Sequence, residues 1–205
     1  MNINKLQEAL GNTDIYLIDQ ILKGRFNTKM KILDAGCGEG RNLHWFLKEG
    51  FEIYGTDTNK NAINMLGYIC RSMNRQDAAE NLFDHPLEES LFPPQAFDFI
   101  ICSAVLHFAQ NETHFFNMIS ELDRILKPGG GLFIRTASLT GMKAHAIRTE
   151  NGVFELPDGS QRFLLTEEIL EKVLNQTQWE FTEPLKTVVV DRQRSMATLM
   201  LHKKP

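Results

Sequence analysis

The spacing of apolar residues marks where this chain is expected to form strands and where helices. Ile32 and Leu33 end a short apolar run closed by Asp34, and glycines follow at alternate positions, Gly36, Gly38 and Gly40. From Arg41 to Glu49 the spacing turns helical, with Leu43, Phe46 and Leu47 on one face and Gly50 placed to end the helix. Phe51, Ile53 and Tyr54 read as a second buried strand ending at Asp57. A helix then opens at Asn59 and Lys60, with Ala62, Ile63, Leu66, Ile69 and Cys70 sharing a face. The stretch from Arg75 to Gln95 is the least regular, and Asn81 to Phe83 has room for only a short third strand. Phe97 to Ser103 is continuously apolar, as a central parallel strand buried on both faces must be. The next helix carries Phe115, Met118, Ile119, Leu122, Ile125 and Leu126, and Lys127-Pro128-Gly129-Gly130 stops it before a fifth strand, GLFIR.

The two flanks read differently. Leu6, Ala9 and Leu10, then Ile15, Ile18, Ile21 and Leu22, predict two helical stretches broken at GNTD, with a fresh N-cap at Asn12 or Thr13 and a stop at Gly24. After the fifth strand, Thr136 to Leu165 has no long periodic run, and the PDGS turn in FELPDGSQRF signals a hairpin. Thr166, with Glu167 and Glu168 at its positive end, starts a last helix bearing Ile169, Leu170, Val173 and Leu174. KTVVV and SMATLML then form two strands about DRQR.

Strand, glycine turn and helix together form the unit that holds a nucleoside-containing cofactor at a helix N-terminus. Glycines let the backbone turn sharply and let a ligand come close. A dinucleotide fingerprint would read G-x-G-x-x-G, but here the third glycine comes one residue early and Arg41 takes the fingerprint's last place. KILDAGCGEG resembles motif I of the class I S-adenosylmethionine-dependent methyltransferases, hydrophobic-D/E-x-G-x-G-x-G. AVLHF resembles the family's fourth motif and LKPGGGLFI its post-motif, and the likeness runs from Lys31 to Lys203.

The resemblance implies a single Rossmann-like α/β domain with a seven-stranded, mostly parallel sheet, an antiparallel last strand and helices on both faces. It divides residues 1–205 into an N-terminal helical cap (1–24), a cofactor-binding core (31–135), a lid-like hairpin insert (136–165), and a C-terminal helix with the terminal strand pair (166–205). The implied cofactor is S-adenosyl-L-methionine, with S-adenosyl-L-homocysteine as product. Its implied contacts are Asp34, Gly36, Cys37, Gly38, Arg41, Asn42, Asp57, Thr58, Leu87 and Ser103. Asp57, at the tip of the second strand, can accept from both ribose hydroxyls, with a helix N-cap as the alternative. The family's usual adenine-binding aspartate is not matched: its place falls at His85 or Pro86, with Asp84 close by, and a backbone donor at Leu87 is the expected substitute. An N-terminal helix in this family often lies over the pocket, which makes Tyr16, Gln20, Lys23 and Arg25 lining candidates beside the reading of a solvated face. GRN after motif I, the histidine in the fourth motif and the hairpin insert look more like the small-molecule enzymes, including tellurite- and thiol-directed types.

Composition narrows the partners. A chain of 205 residues with 42% hydrophobic and 23% charged residues is ordinary for one soluble domain. The formal net charge of -4 and the lack of a dense Lys/Arg block argue against a large nucleic-acid footprint. Cys37, Cys70 and Cys102 form no C-x-x-C pair, so neither a disulfide framework nor a metal site is indicated. MNINKLQEAL has no apolar signal region and no stretch approaches a membrane span, which leads us to expect a cytoplasmic protein that uses no membrane. The acceptor and the oligomeric state are not legible.

Methyl transfer from a sulfonium needs alignment and exclusion of water more than acid–base help. A protonated oxygen or nitrogen acceptor does need a base, and His107, just past the fourth strand, suits that task, with a structural hydrogen bond as the alternative. Ser103 ends that strand and can touch either ligand. Arg135, at the end of the fifth strand, can pair with a substrate carboxylate or phosphate or can satisfy a lid carbonyl. The N/D-P-P-Y/F trap of base methyltransferases is replaced by Cys102-Ser103-Ala104-Val105, which disfavours a flipped nucleobase. The readings that follow are methylation of a small molecule, methylation of a protein or RNA, or a non-catalytic cofactor-binding regulatory module.

Overall fold

A strand that is apolar on both faces needs parallel neighbours and helices above and below it. The computed structural model, which describes residues 2–205, supplies both. The core strands are β1 (Lys31–Ala35), β2 (Glu52–Thr56), β3 (Leu82–Phe83), β4 (Phe97–Ser103) and β5 (Leu126–Ala137). The insert carries β6 (Ile147–Arg148), β7 (Phe154–Glu155) and β8 (Gln161–Arg162), and the chain continues through β9 (Trp179–Phe181), β10 (Lys186–Val190) and β11 (Arg194–Lys203). The main sheet runs β10-β11-β5-β4-β1-β2-β3, with β9 also on β11. The pairs among β1 to β5 are parallel, and those made by β11 are antiparallel. Register brings Ala35 opposite Thr56 and Ser103 opposite Arg135, so the carboxyl ends of four strands meet at one edge.

The helices are α1 (Ile3–Leu10), α2 (Ile15–Leu22), α3 (His44–Lys48), α4 (Lys60–Ser72), α5 (Gln76–Ala79), α6 (Glu112–Ile125) and α7 (Glu167–Gln176). Alternate residues of each strand feed two cores. Ile32, Phe99 and Ile101 pack with Leu43, Phe46, Leu66 and Leu17, whereas Leu33, Ile100 and Cys102 pack with Phe115, Leu122 and Ile169. No helix is long and apolar enough to cross a membrane among the described residues.

The structure departs from the sequence reading at several boundaries. Residues 38–43 turn before α3 begins at His44, three residues later than the spacing suggests. β5 starts at Leu126 because that residue already pairs with Phe97, and a register shift between Phe97 and Phe99 accommodates the glycine stretch, where Gly129 has φ of 74°. The insert is a three-stranded sheet, β6-β7-β8, rather than a lone hairpin. The short α5 has no counterpart in the apolar pattern.

The cap of α2 is Asp14, not Asn12 or Thr13. Its carboxylate accepts the Tyr16 N–H at 3.0 Å, while the Thr13 hydroxyl turns back to donate to the Leu10 carbonyl at 2.6 Å. Asp14 is also an ion-pair partner of Arg135, and its side chain is fully buried. The N-terminal residues expected to face a pocket do other work. Lys23 and Arg25 reach Glu183 at 2.7 and 2.8 Å, Gln20 is buried, and the Tyr16 ring lies 5.3 Å from the Arg135 guanidinium.

Removing one member of a buried ion pair strands the other, and Arg135 is only about a quarter exposed. Asp14→Ala should therefore lower stability by about 3 kcal/mol, the cap included, and Asp14→Asn, which keeps an acceptor for Tyr16, should restore about 1 kcal/mol of it. Urea unfolding of the two variants measures both figures.

Candidate functional site

At the carboxyl edge of β1 the backbone takes conformations that side chains resist. Gly36 has φ of 81°, and a Cβ there would stand 2.1 Å from Val105 Cγ2. Gly40 also has φ of 81°, and its Cβ would meet Leu66 Cδ1 at 2.3 Å. Gly38 instead has open space above it, and its N–H donates to Asp57 Oδ2 at 2.8 Å. Asp57 Oδ1 accepts the Asn59 N–H at 2.8 Å. Each carboxylate oxygen keeps a further lone pair for a ligand. The cap of α4 is Asn59, whose side chain accepts from Asn61 and Ala62, so Asp57 is not needed as that cap.

Beside this turn lies a cavity of about 290 Å³ lined by Gly36, Asp57, Thr58, Leu87 and Met118 among others. Its far wall holds a pair absent from the sequence reading. Glu88 Oε1 lies 2.8 Å from His114 Nε2, while Glu88 Oε2 is buried with no partner, as is His85 Nε2. Alignment on Phe97 puts His85 or Pro86 where an acid is usual, and the 3₁₀ turn Leu87–Glu89 that follows brings the next acid, Glu88, to the cavity. Asp84 instead faces Lys60 at 3.7 Å and does not line it.

Asp34, one residue before the end of β1, lies in a drier place. It is 1% exposed and neither of its oxygens has a partner. Burial pushes its carboxyl up to about 7, against the pull of Arg41 and with the repulsion of Asp57.

A second cavity, of about 400 Å³, opens on the other side of Ala104, which lines both. Ala104 itself sits at φ of 65° and donates its N–H to the Arg135 carbonyl at 2.7 Å. A left-handed alanine costs roughly 1–2 kcal/mol, and such strain collects where ligands bind. The structure brings together here Ser103, His107, Arg135 and Arg41, with Asp14 beneath Arg135. The insert closes one wall with Leu156, Asp158, Ser160 and Arg162, and the terminal strand pair closes another with Val188, Val190, Arg194 and Met196. The hairpin is anchored beside the site: the Phe163 N–H donates to the His107 carbonyl at 3.0 Å, and Arg162 lies 4.9 Å over the Phe108 ring.

His107 is 7% exposed, and its Nδ1 accepts the Ala137 N–H at 3.3 Å. That bond fixes the ring proton on Nε2. Burial, helped by Arg162, lowers the imidazole to about 4, so the ring is neutral at neutral pH. A lone pair on Nε2, which a base needs, belongs to the other tautomer. Ser103 Oγ is buried and has no protein partner.

Two expected contacts point elsewhere. The Cys37 side chain packs into the core beside Gly55, where a Cβ would meet its sulfur at 2.9 Å, and burial pushes the thiol far up. Asn42 is buried, and its Oδ1 accepts the Asp14 N–H at 3.1 Å, tying the glycine turn to α2. A wider cavity of about 560 Å³ lies between the insert and α7, lined by residues of mixed charge such as Lys143, Arg148, Glu112 and Glu168. It touches neither the glycine turn nor the β4 edge.

Residues 14–183 match the family model described as "Methyltransferase domain". A ubiquinone biosynthesis O-methyltransferase from Aliivibrio fischeri is 23% identical over 154 residues, which cover 72% of this chain and 62% of that protein. The chain spans between 3% and 62% of the length of the curated relatives it matches. A SAM-dependent methyltransferase from Methanosarcina mazei superposes with a TM-score of 0.71 at 22% identity, over 90% of this chain and 97% of that one. The 1,6-didemethyltoxoflavin-N1-methyltransferase of Burkholderia thailandensis, crystallised with bound 1,6-didemethyltoxoflavin and S-adenosylhomocysteine, gives a TM-score of 0.71 at 14% identity, over 98% of this chain and 82% of that one. At such identities the solved structures establish the fold.

Asp34 makes stability depend on pH in a direction opposite to most carboxylates. Its folded value, about 7, lies above its ordinary 3.8, so the native state holds the proton more tightly. Its contribution is full below the ordinary value and is lost as pH rises through about 7. Thermal unfolding of the ligand-free protein should show Tm falling across that window, and Asp34→Asn should flatten the fall.

Proposed function

The chain belongs to the methyltransferase domain family, and from that premise we propose that it moves a methyl group from S-adenosylmethionine to a small molecule by in-line displacement. The observation that carries this is the pair of cavities meeting at Ala104, one beside the glycine turn and one closed by the insert. A walled space of about 400 Å³ suits a small acceptor, since ligand pockets run from about 300 to 1,000 Å³.

The residues present fit the cofactor. Asp57 has lone pairs for the ribose hydroxyls, and Glu88 Oε2, buried and unpartnered, suits the adenine amino group. The Leu87 N–H, first in its 3₁₀ turn, is free of that turn and suits a ring nitrogen. Asp34, buried and lining neither cavity, is left without a ligand contact in this arrangement. When bound, the cofactor supplies a methyl group on a sulfonium, a leaving group already activated.

What remains for the protein is to seat the acceptor in line and keep water out. The insert and the terminal strands exclude water. His107, neutral and carrying its proton on Nε2, donates a hydrogen bond to the acceptor and does not remove a proton from it. Ser103 Oγ offers a second polar contact. Arg135, held by Asp14, acts as a positioning residue between α2 and the cavity floor. No carboxylate of the cavity is placed as a base, because Asp14 is paired and Asp158, bonded at Oδ1 by Ser160, is held below its ordinary value. The acceptor therefore arrives already nucleophilic.

A methyl-transfer screen against thiols, phenols, amines, carboxylates and metalloid oxyanions, read by S-adenosylhomocysteine release, tests the activity. Tight NAD binding without S-adenosylmethionine binding would overturn it. Asp57→Ala should weaken S-adenosylhomocysteine binding by about 2 kcal/mol in calorimetry, the scale of bonds to a charged group, and unchanged affinity would remove Asp57 from the site. His107→Gln should keep turnover within about tenfold, with no limb near the ordinary histidine pKa in either protein. A loss of about 10²-fold together with loss of such a limb would instead make His107 the base.

A further inference from the structure

The chain carries a net charge of -4, yet its acceptor cavity is lined by four arginines, Arg41, Arg135, Arg162 and Arg194, against two aspartates, Asp14 and Asp158. Lining charges therefore sum to an excess of two positive charges, reversed in sign from the whole molecule. We propose, building on the methyltransferase reading above, that the acceptor is an organic molecule bearing an oxyanion group, a carboxylate or phosphate, seated between Arg162 and Arg194.

The pairing of the charges selects those two residues. Asp14 neutralises Arg135 and stands 3.9 Å from Arg41. Asp158 Oδ1 is taken at the hairpin tip by the Ser160 N–H at 3.0 Å and the Ser160 hydroxyl at 2.6 Å, and Arg162 and Arg194 act on its charge only from beyond ion-pair distance. Arg162 and Arg194 have no carboxylate within ion-pair distance among the described residues, although neighbouring cations such as Lys23, Arg25 and Lys186 all reach Glu183. Arg162 spends one donor on the Gln161 carbonyl at 2.7 Å and keeps the rest of its fork. A planar fork with free donors matches a carboxylate or phosphate in two parallel bonds.

Position adds to charge. Arg162 belongs to β8 of the insert and Arg194 to the start of β11, so an anion between them ties two walls of the cavity together. Arg162 is also held in place over Phe108, which reduces the freedom lost on binding. On the same two walls Leu156, Val188, Val190 and Met196 offer apolar surface. An inorganic anion alone would leave that surface uncovered, whereas an organic body covers it.

The test is equilibrium binding to the S-adenosylhomocysteine-saturated protein, with benzoate and phenyl phosphate as anionic probes and benzamide and phenol as neutral ones. The anions should bind roughly tenfold tighter or more than their neutral partners, with affinity falling as salt rises. R162Q/R194Q should bring the anions down to the neutral level and leave S-adenosylhomocysteine affinity within about twofold, and the single variants carry the same measurement if the double variant unfolds. Benzoate without phenyl phosphate would assign a carboxylate, and the reverse a phosphate. Equal binding of neutral probes, no anion binding, or anion binding untouched in the variants would overturn the proposal. A protein that binds no S-adenosylhomocysteine fails the methyltransferase reading instead, and the anion titration is then run on the protein alone.

Discussion

One buried carboxylate holds the part of the molecule around the second cavity in register. Asp14 caps α2, pairs with Arg135 at the end of β5 across 121 residues of chain, and stands within 3.9 Å of Arg41 in the turn after β1. Its own N–H is taken by Asn42 in the same turn. Taking a carboxylate wholly out of water costs several kcal/mol unless partners surround it. Here a cap donor and two guanidinium groups do so, and each partner belongs to a different part of the fold. The charge thus does for this edge of the sheet what apolar packing does for its interior. Arg135 is spent in this arrangement, which is why the free charge of the cavity lies on Arg162 and Arg194.

The cofactor half is organised by backbone shape rather than charge. Gly36 and Gly40 occupy left-handed conformations that a Cβ could neither adopt easily nor fit, against Val105 and Leu66. Ala104 accepts the same kind of strain on the facing strand. Its single methyl keeps the wall between the two cavities thin, so that a group held on one side can reach an atom on the other. The left-handed turn and the strained alanine are one device seen from two strands.

Much of this was written locally in the sequence. The continuous apolar block at Phe97 to Ser103 matches the observed bounds of β4, and the glycine spacing with Asp57 marks the first cavity. What was illegible depends on contacts between distant segments. Asp14 could not be chosen over Asn12 or Thr13 because its advantage comes from Arg135. Glu88 escaped because a 3₁₀ turn, not a motif position, aims it. Cys37 and Asn42 sit inside the motif, but the neighbours that turn their side chains away, Gly55 and Asp14, lie elsewhere. The position of His107 past β4 was legible and it lines the second cavity, whereas its tautomer is set by an amide 30 residues on.

The two cavities draw on separable portions of chain, and this bears on how such a protein diverges. The first is lined from between Gly36 and Met118, whereas the second takes its outer walls from Leu156 to Arg162 and from Val188 to Met196. On the function proposed above, mutations in those outer segments change what is accepted while leaving the donor's seat alone. A duplicated copy could therefore drift to a new acceptor one wall residue at a time, without passing through a form that has lost its cofactor.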